Sequence, residues 1–401
     1  MYGNDMKENL LVNRYNSIWE GKTGLWMGRI SGITFFLGLL IELTIVILDK
    51  SAYTIQYEGQ WFRVTFLLFG ISLITTRHSL KEWVGLFLLA ILGLISYRAT
   101  GRNEILRCLV FIWACVGKDM RKTMKFTFWY TTAGCGMLIL LSILGIAGQV
   151  AQTAVYRYDI VEHRYCFGMG HPNAFHCMML AITLLGMYCY YEKIRWWGYG
   201  GITIFHLIVF FLTKSRSSFM VSMGAILLVV LLRYCKFLQK WAGSYLLGIL
   251  IIAGAVWFSV FMARFGVSNP FLYKLDPYLS GRISTLNWDS LNQEGMLHTW
   301  SLWSVARNNY FFDLGIVRVF YWFGIIPGAV YFLAQCRLIW CGYRAKDFLL
   351  LAVMISITIY TVFEAHYVSD YIGRNYIFFF MGMYLTRMLG VKKKEETSNG
   401  Q

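Results

Sequence analysis

Proline is nearly missing, with four residues in 401, which argues against a loop-rich or disordered architecture. Charge is scarce as well. Only 14% of residues are Asp, Glu, Lys or Arg, against roughly a quarter in ordinary soluble domains, and this excludes a soluble fold. Acidic residues are the scarcer kind, 21 against 37 Lys and Arg, for a formal net charge of +16. In a soluble protein that excess would point to nucleic acid. In a membrane chain it reports loops anchored on anionic lipid, and no nucleic-acid partner is expected. The nine cysteines include no CxxC and no metal-ligand spacing, so they read as small apolar residues and not as a disulfide framework or a zinc site. A cleavable leader is not expected either: about 29 fairly polar residues precede the first apolar run, and no small-residue cleavage pattern follows it.

What is abundant is apolar and aromatic: 57% hydrophobic, 18% aromatic, with a mean hydropathy of +0.52. At roughly 20 residues per span the length holds about a dozen transmembrane helices and leaves no room for a separate soluble domain. Apolar runs at about 30–48, 61–76, 83–97, 103–117, 126–148, 172–191, 196–213, 217–232, 243–262, 314–336, 348–363 and 375–390 predict twelve helices. The fold class expected is therefore an all-α integral membrane protein, residues 1–401 forming one polytopic domain.

With a cytoplasmic N-terminus (1–29), alternate loops place 22 of the 37 cations inside, including Lys118, Arg121, Lys122 and Lys125 and the tail at 391–401. The positive-inside rule then predicts both termini in the cytoplasm of a multi-pass protein of the cytoplasmic membrane. The 15 outer cations are three lysines and twelve arginines, whereas the inner set is 13 Lys and 9 Arg. Anchoring does not require arginine outside, and a planar guanidinium matches phosphate oxygens with paired donors. The alternative is local pairing of these arginines with Asp159, Glu162, Asp276, Asp289 or Glu294. The longest loop, 263–313, falls between the ninth and tenth helices on the outer side. No self-similarity relates the two halves, which disfavours a two-repeat transporter.

Four outer segments concentrate the chemistry: Arg164-Tyr-Cys-Phe-Gly-Met-Gly-His171-Pro-Asn173, Thr213-Lys214-Ser-Arg216-Ser-Ser218, Leu279-Ser-Gly-Arg282, and Asp313-Leu-Gly-Ile316 leading to Phe323-Gly-Ile-Ile326. Together with the layout and the late large loop, they resemble the capsular and O-antigen polysaccharide polymerases of the Wzy type, in the Gram-positive branch, over about 155–380. The family pattern is R…G-x-G-H-P-N, [T/S]-x-S-R, S-G-R, then D-N-x-Y with an aromatic-Gly-Ile/Leu pair. The first three match. The fourth departs from the pattern, with Leu314 and Ile316 where Asn and Tyr are usual, while its aromatic-Gly-Ile-Ile half is intact.

The resemblance implies a metal-independent, GT-C-like membrane glycosyltransferase without a cofactor, with the large loop between helices 9 and 10 outside. Such an enzyme polymerises undecaprenyl-diphosphate-linked oligosaccharide repeat units outside the membrane, alongside a flippase and a chain-length regulator. It further implies Arg164, Asn173, Lys214, Arg216, Arg282 and Arg374 as residues that hold diphosphate or glycan, and His171, Asp313 or Glu364 as residues that orient or deprotonate the acceptor. A glycan ligase and a transporter of lipid-linked sugars are the rival readings.

The residues read by themselves leave alternatives. Breaking a sugar–diphosphate bond needs metal ions or fixed cations for the developing charge, and no DxD or His/carboxylate cluster with metal spacing lies outside. Gly168 and Gly170 suit either an anion site at a helix start or a tight turn. His171 suits capping or catalysis. Trp288, Trp300, Trp303, Tyr310 and Tyr321 suit membrane seating better than sugar stacking. Glu42, inside the first helix, is expected to pair structurally with Arg63 or Arg98.

Overall fold

The computed structural model describes Trp19 and residues 21–155, 161–287 and 293–391. The first half of the chain contributes α1 (Gly21–Asp49), α2 (Glu58–Ile74), α3 (Leu80–Thr100), α4 (Glu104–Ala114) and α5 (Met120–Ile143). A hairpin of β1 (Ala151–Val155) and β2 (Val161–Tyr165) follows, antiparallel with Gln152 opposite Arg164. Then come α6 (Pro172–Tyr190), α7 (Trp196–Thr213), α8 (Arg216–Tyr234), α9 (Lys236–Lys240), α10 (Ala242–Phe265) and α11 (Pro270–Leu275). The chain closes with α12 (Gly315–Phe323), α13 (Ile325–Ala345), α14 (Phe348–Phe363) and α15 (Tyr376–Met388).

Among the described residues eight helices are long and apolar enough to cross a membrane, and the exposure of α3 fits a lipid-facing surface. Val84, Phe87, Leu88, Ile91, Leu94 and Ile95 of α3 all face outward, an apolar stripe at helical spacing on the face that a water-soluble protein would make polar. The chain is an all-α, multi-pass membrane protein. Each of the twelve apolar runs falls on helix. However, α4, with 11 residues, rises only about 16 Å at 1.5 Å per residue, short of the roughly 30 Å hydrocarbon core.

The expected helix at 314–336 is in fact two. Gly324 sits at φ 101° between α12 and α13, and the large loop supplies what the break removes. Ile325 N–H donates to Ser301 O (2.9 Å) and Ile326 N–H to Leu302 O (3.1 Å), while Ser304 N–H donates to Phe323 O (3.4 Å). The first amides of α13 are thereby satisfied without a preceding helical turn. The loop expected over 263–313 also contains helix, since α10 runs to Phe265 and α11 follows with Asn269 as N-cap and Pro270 in its first turn.

The core centres on α14, which is buried at 14 of its 16 positions and packs against α8, α10 and α13. Glu42 of α1 meets neither Arg63 nor Arg98. It takes a hydrogen bond from Thr65 (2.6 Å) and pairs with Arg107 of α4 at 3.1 Å. One end of the bundle gathers the loops after α1, α3, α5, α7, α11 and α14, tied by pairs such as Asp49–Arg374 and by Arg107 donating to Asp370 O (2.9 Å). The other end gathers the basic loops, tied by Thr386 to Glu82 (2.7 Å) and by Tyr188 and Tyr384 to Asp347 (3.0 and 2.9 Å). All nine cysteines are unpaired; Cys108, Cys189, Cys235 and Cys336 are only partly buried.

Candidate functional site

The site is built around Arg282. Asp276 Oδ1 accepts the backbone N–H groups of Ile283 (2.7 Å) and Ser284 (3.2 Å), and Ser280 and Gly281 take the left-handed conformation. This tight turn fixes the Arg282 backbone, and it means that Asp276 serves amides and not an arginine. The buried guanidinium then meets three other segments. Its Nε donates to Asp313 Oδ2 at 3.2 Å, its Nη2 is paired with Glu364 Oε1, and its Nη1 faces Ser217 Oγ at 3.4 Å. Ser217, in the first turn of α8, also donates to Glu364 Oε1 at 2.8 Å.

Packing sets these distances. Gly315 starts α12 where a Cβ would lie 2.6 Å from Thr361 O and 2.9 Å from Glu364 O. Only glycine lets this turn rest on the C-terminal end of α14, and that contact brings Asp313 to Glu364. Beneath, Ser218 Oγ bonds Tyr360 Oη (3.0 Å), holding α8 to α14. Burial pushes the Glu364 carboxyl up, opposed by Arg282 and assisted by the Asp313 charge. Burial works against the charge on Arg282, yet Glu364 and Asp313 outweigh it and hold the guanidinium above its ordinary value. Asp313 differs from Glu364 in access: its side chain is 57% exposed, that of Glu364 9%.

His171 caps α6, its Nδ1 accepting the Asn173 N–H at 3.1 Å. A neutral ring held this way carries its proton on Nε2, so it offers a donor and no free lone pair. Gly168 and Gly170 are both left-handed and make the turn into this cap. The ring lies within the electrostatic reach of Asp313, Arg164 and Arg282. Removal from water pushes His171 down, Asp313 pulls it up, and the two arginines push it further down.

The remaining expected residues divide. Arg164 is buried and committed to Glu162 of its own strand, through Nε and Nη2 at 2.6 Å, so here local pairing holds. Arg374 lies in a neighbouring cluster, paired with Asp49 and 4.5 Å from the Tyr371 ring centre, with Lys50 on the same carboxylate at 2.7 Å. Arg216 and Lys214 are exposed beside Ser217 and make no ion pair among the described residues. Asn173 is partly exposed next to the cap. Trp300 stacks on Phe320 (4.9 Å) and Tyr321 is fully buried, which fits packing and not open sugar platforms. Arg157, Asp159, Trp288 and Asp289 lie outside the described residues.

Ser217 and Asp49 were not singled out from sequence. Ser217 sits inside a noted motif but looks like one serine among three, and Asp49 finds Arg374 across more than 300 residues. No family model matches the chain, nor does any curated protein or solved structure.

Proposed function

We propose that the chain is a polysaccharide polymerase of the Wzy type: a twelve-span, GT-C-like glycosyltransferase of the cytoplasmic membrane. It joins undecaprenyl-diphosphate-linked oligosaccharide repeat units on the outer side, for capsule or exopolysaccharide synthesis. One observation carries this reading. The four short motifs behind the resemblance, spread over residues 164–326, converge on one site: Ser217 from the second, Arg282 from the third and Asp313 from the fourth lie in contact, and His171 from the first lies within their field.

The chemistry follows from which groups are free. The acceptor hydroxyl oxygen attacks the anomeric carbon of the donor glycan while the bond from that carbon to the lipid diphosphate breaks. Asp313, the accessible carboxylate, takes the hydroxyl proton. Charge develops on the departing diphosphate, and the uncommitted cations Arg216 and Lys214 stabilise it. Arg282, saturated by Asp313, Glu364 and Ser217, aligns the base and adds its field. Nε2–H of His171 donates to a substrate oxygen. No step in this scheme calls for a metal ion.

The test is incubation of purified protein with a defined undecaprenyl-diphosphate repeat unit. A ladder of products in the presence of chelator supports the reading. Transfer only to a different acceptor would assign a ligase, and no covalent product would leave the transporter.

A further inference from the structure

At the end of the bundle opposite Arg282, a cavity of about 380 Å³ opens between the start of α1, the end of α2 and the turn from α4 into α5. Its inner cation is Lys118, whose Nζ is bonded to Ser31 Oγ and lies 3.3 Å from Thr76 Oγ1. Those hydroxyls are linked to each other at 2.6 Å, and Ser31 to Ser72 at 3.1 Å. Arg77 and Lys122 also line the cavity. The one carboxylate lining it among the described residues, Asp119, is engaged elsewhere, accepting the Lys122 N–H at 3.0 Å and pairing with the Lys122 amine at 3.4 Å.

Lys118 therefore meets no carboxylate among the described residues. A partly buried cation whose partners are hydroxyls and, at 5.9 Å, the face of the Phe35 ring is poorly compensated for its lost hydration, and burial lowers its pKa to about 8. The wall beside it is bare. A Cβ on Gly28 or Gly32, both lining the cavity, would meet nothing within 4 Å, whereas one on Gly38 of the same helix would strike Phe69 at 2.9 Å. Helix packing explains Gly38 but not the other two, whose missing side chains keep space open next to the uncompensated charge.

We propose that this cavity is a second binding site, for an anionic phosphate group, with Lys118 as its central ligand, Arg77 and Lys122 at its rim, and the Gly28–Gly32 face accommodating whatever carries the phosphate. A lipid headgroup and a free phosphate share this chemistry. The site is separate from the Arg282 cluster and does not depend on the reaction assigned there.

Purified full-length protein in neutral detergent is titrated with phosphatidylglycerol, phosphatidylcholine and inorganic phosphate, with binding read as a saturable rise in Tm and as retained lipid in native mass spectrometry. Saturable binding of phosphatidylglycerol in preference to phosphatidylcholine assigns a lipid headgroup; an equal response to inorganic phosphate assigns the free anion. Lys118→Gln, which keeps hydrogen bonds to Ser31 and Thr76, should weaken that binding about tenfold or more. If that variant is not monodisperse, Gly28→Leu fills the open wall with the charge intact and should weaken binding likewise. Wild-type affinity in a well-folded variant, or no saturable response in the wild type, overturns the proposal.

Discussion

Arg282 and Arg216 lie within one site and should fail in different ways when replaced. Arg282 is buried among two carboxylates, and removing one partner of a buried pair typically costs about 3–5 kcal/mol because the other charge is left uncompensated. Arg282→Ala should therefore lower thermal stability and membrane abundance together with polymerisation, and Arg282→Lys should rescue poorly, since an ammonium cannot serve three partners in a planar fork. Arg216→Ala touches no ion pair among the described residues and should leave Tm within a degree or two, yet slow chain extension about 100- to 1,000-fold, by analogy with loss of one oxyanion donor. Tm, abundance and product ladders measured on the same preparations separate the two; an Arg216→Ala enzyme that extends chains normally would remove the free cation from the mechanism. His171 provides a pH test. Its folded pKa lies below the ordinary imidazole value of about 6.5, so the neutral ring persists into mildly acidic solution, and its contribution to stability is present above that pH and lost as pH falls through the folded value. Asp313 opposes the shift. In Asp313→Asn the His171 titration, followed by NMR of the labelled ring, should move further down; an upward move would mean that the two groups do not face each other.

At the scale of elements, the site depends on α12 resting on the end of α14. Gly315→Ala would place a methyl against the carbonyls of Thr361 and Glu364 at distances no Cβ tolerates, so one helix must shift. The expected result is a protein that still inserts and remains monodisperse but polymerises slowly, because Asp313 no longer reaches Arg282 at 3.2 Å. Unchanged activity in Gly315→Ala would show that this contact does not set the geometry. Gly324→Ala is harsher. It combines a left-handed backbone, which costs a side chain about 1–3 kcal/mol, with contacts of 2.7 Å to Leu302 O and Ser304 N, and should lower Tm and abundance.

For the whole molecule the testable quantity is sidedness. The Arg282 cluster and the hairpin occupy one end and the basic loops the other, and by the positive-inside rule the basic end is expected in the cytoplasm. In a cysteine-free background, single cysteines at Thr153 and Asn309 should react with an impermeant thiol reagent on intact cells, and one at Lys122 should react only after permeabilisation. All three positions are exposed, so access depends on sidedness alone, and the reverse labelling pattern would turn the molecule over.

Much of the fold was legible from composition and periodicity, because in lipid the apolar run is itself the element: 196–213 and 348–363 are helices at those bounds. The break at Gly324 was not legible, since an apolar run reads the same whether or not a loop some 20 residues earlier supplies its missing hydrogen bonds. Nor was the hairpin, whose two short strands give too little alternation to separate them from a loop. Of the site, sequence named Arg282, Asp313, Glu364, Arg216 and His171 as residue types suited to the chemistry. It could not rank the arginines, because a guanidinium reads alike whether it faces Glu162, Asp49 or open solvent. Arg164 pairs within its own strand, but tertiary packing decided that Arg374 is tied to Asp49, that Arg282 is clamped between two carboxylates, and that Arg216 meets no carboxylate among the described residues. The physical reason is range: membrane insertion follows from local hydrophobicity that each segment carries alone, whereas ion pairing is a property of distance between segments that only the folded bundle brings together.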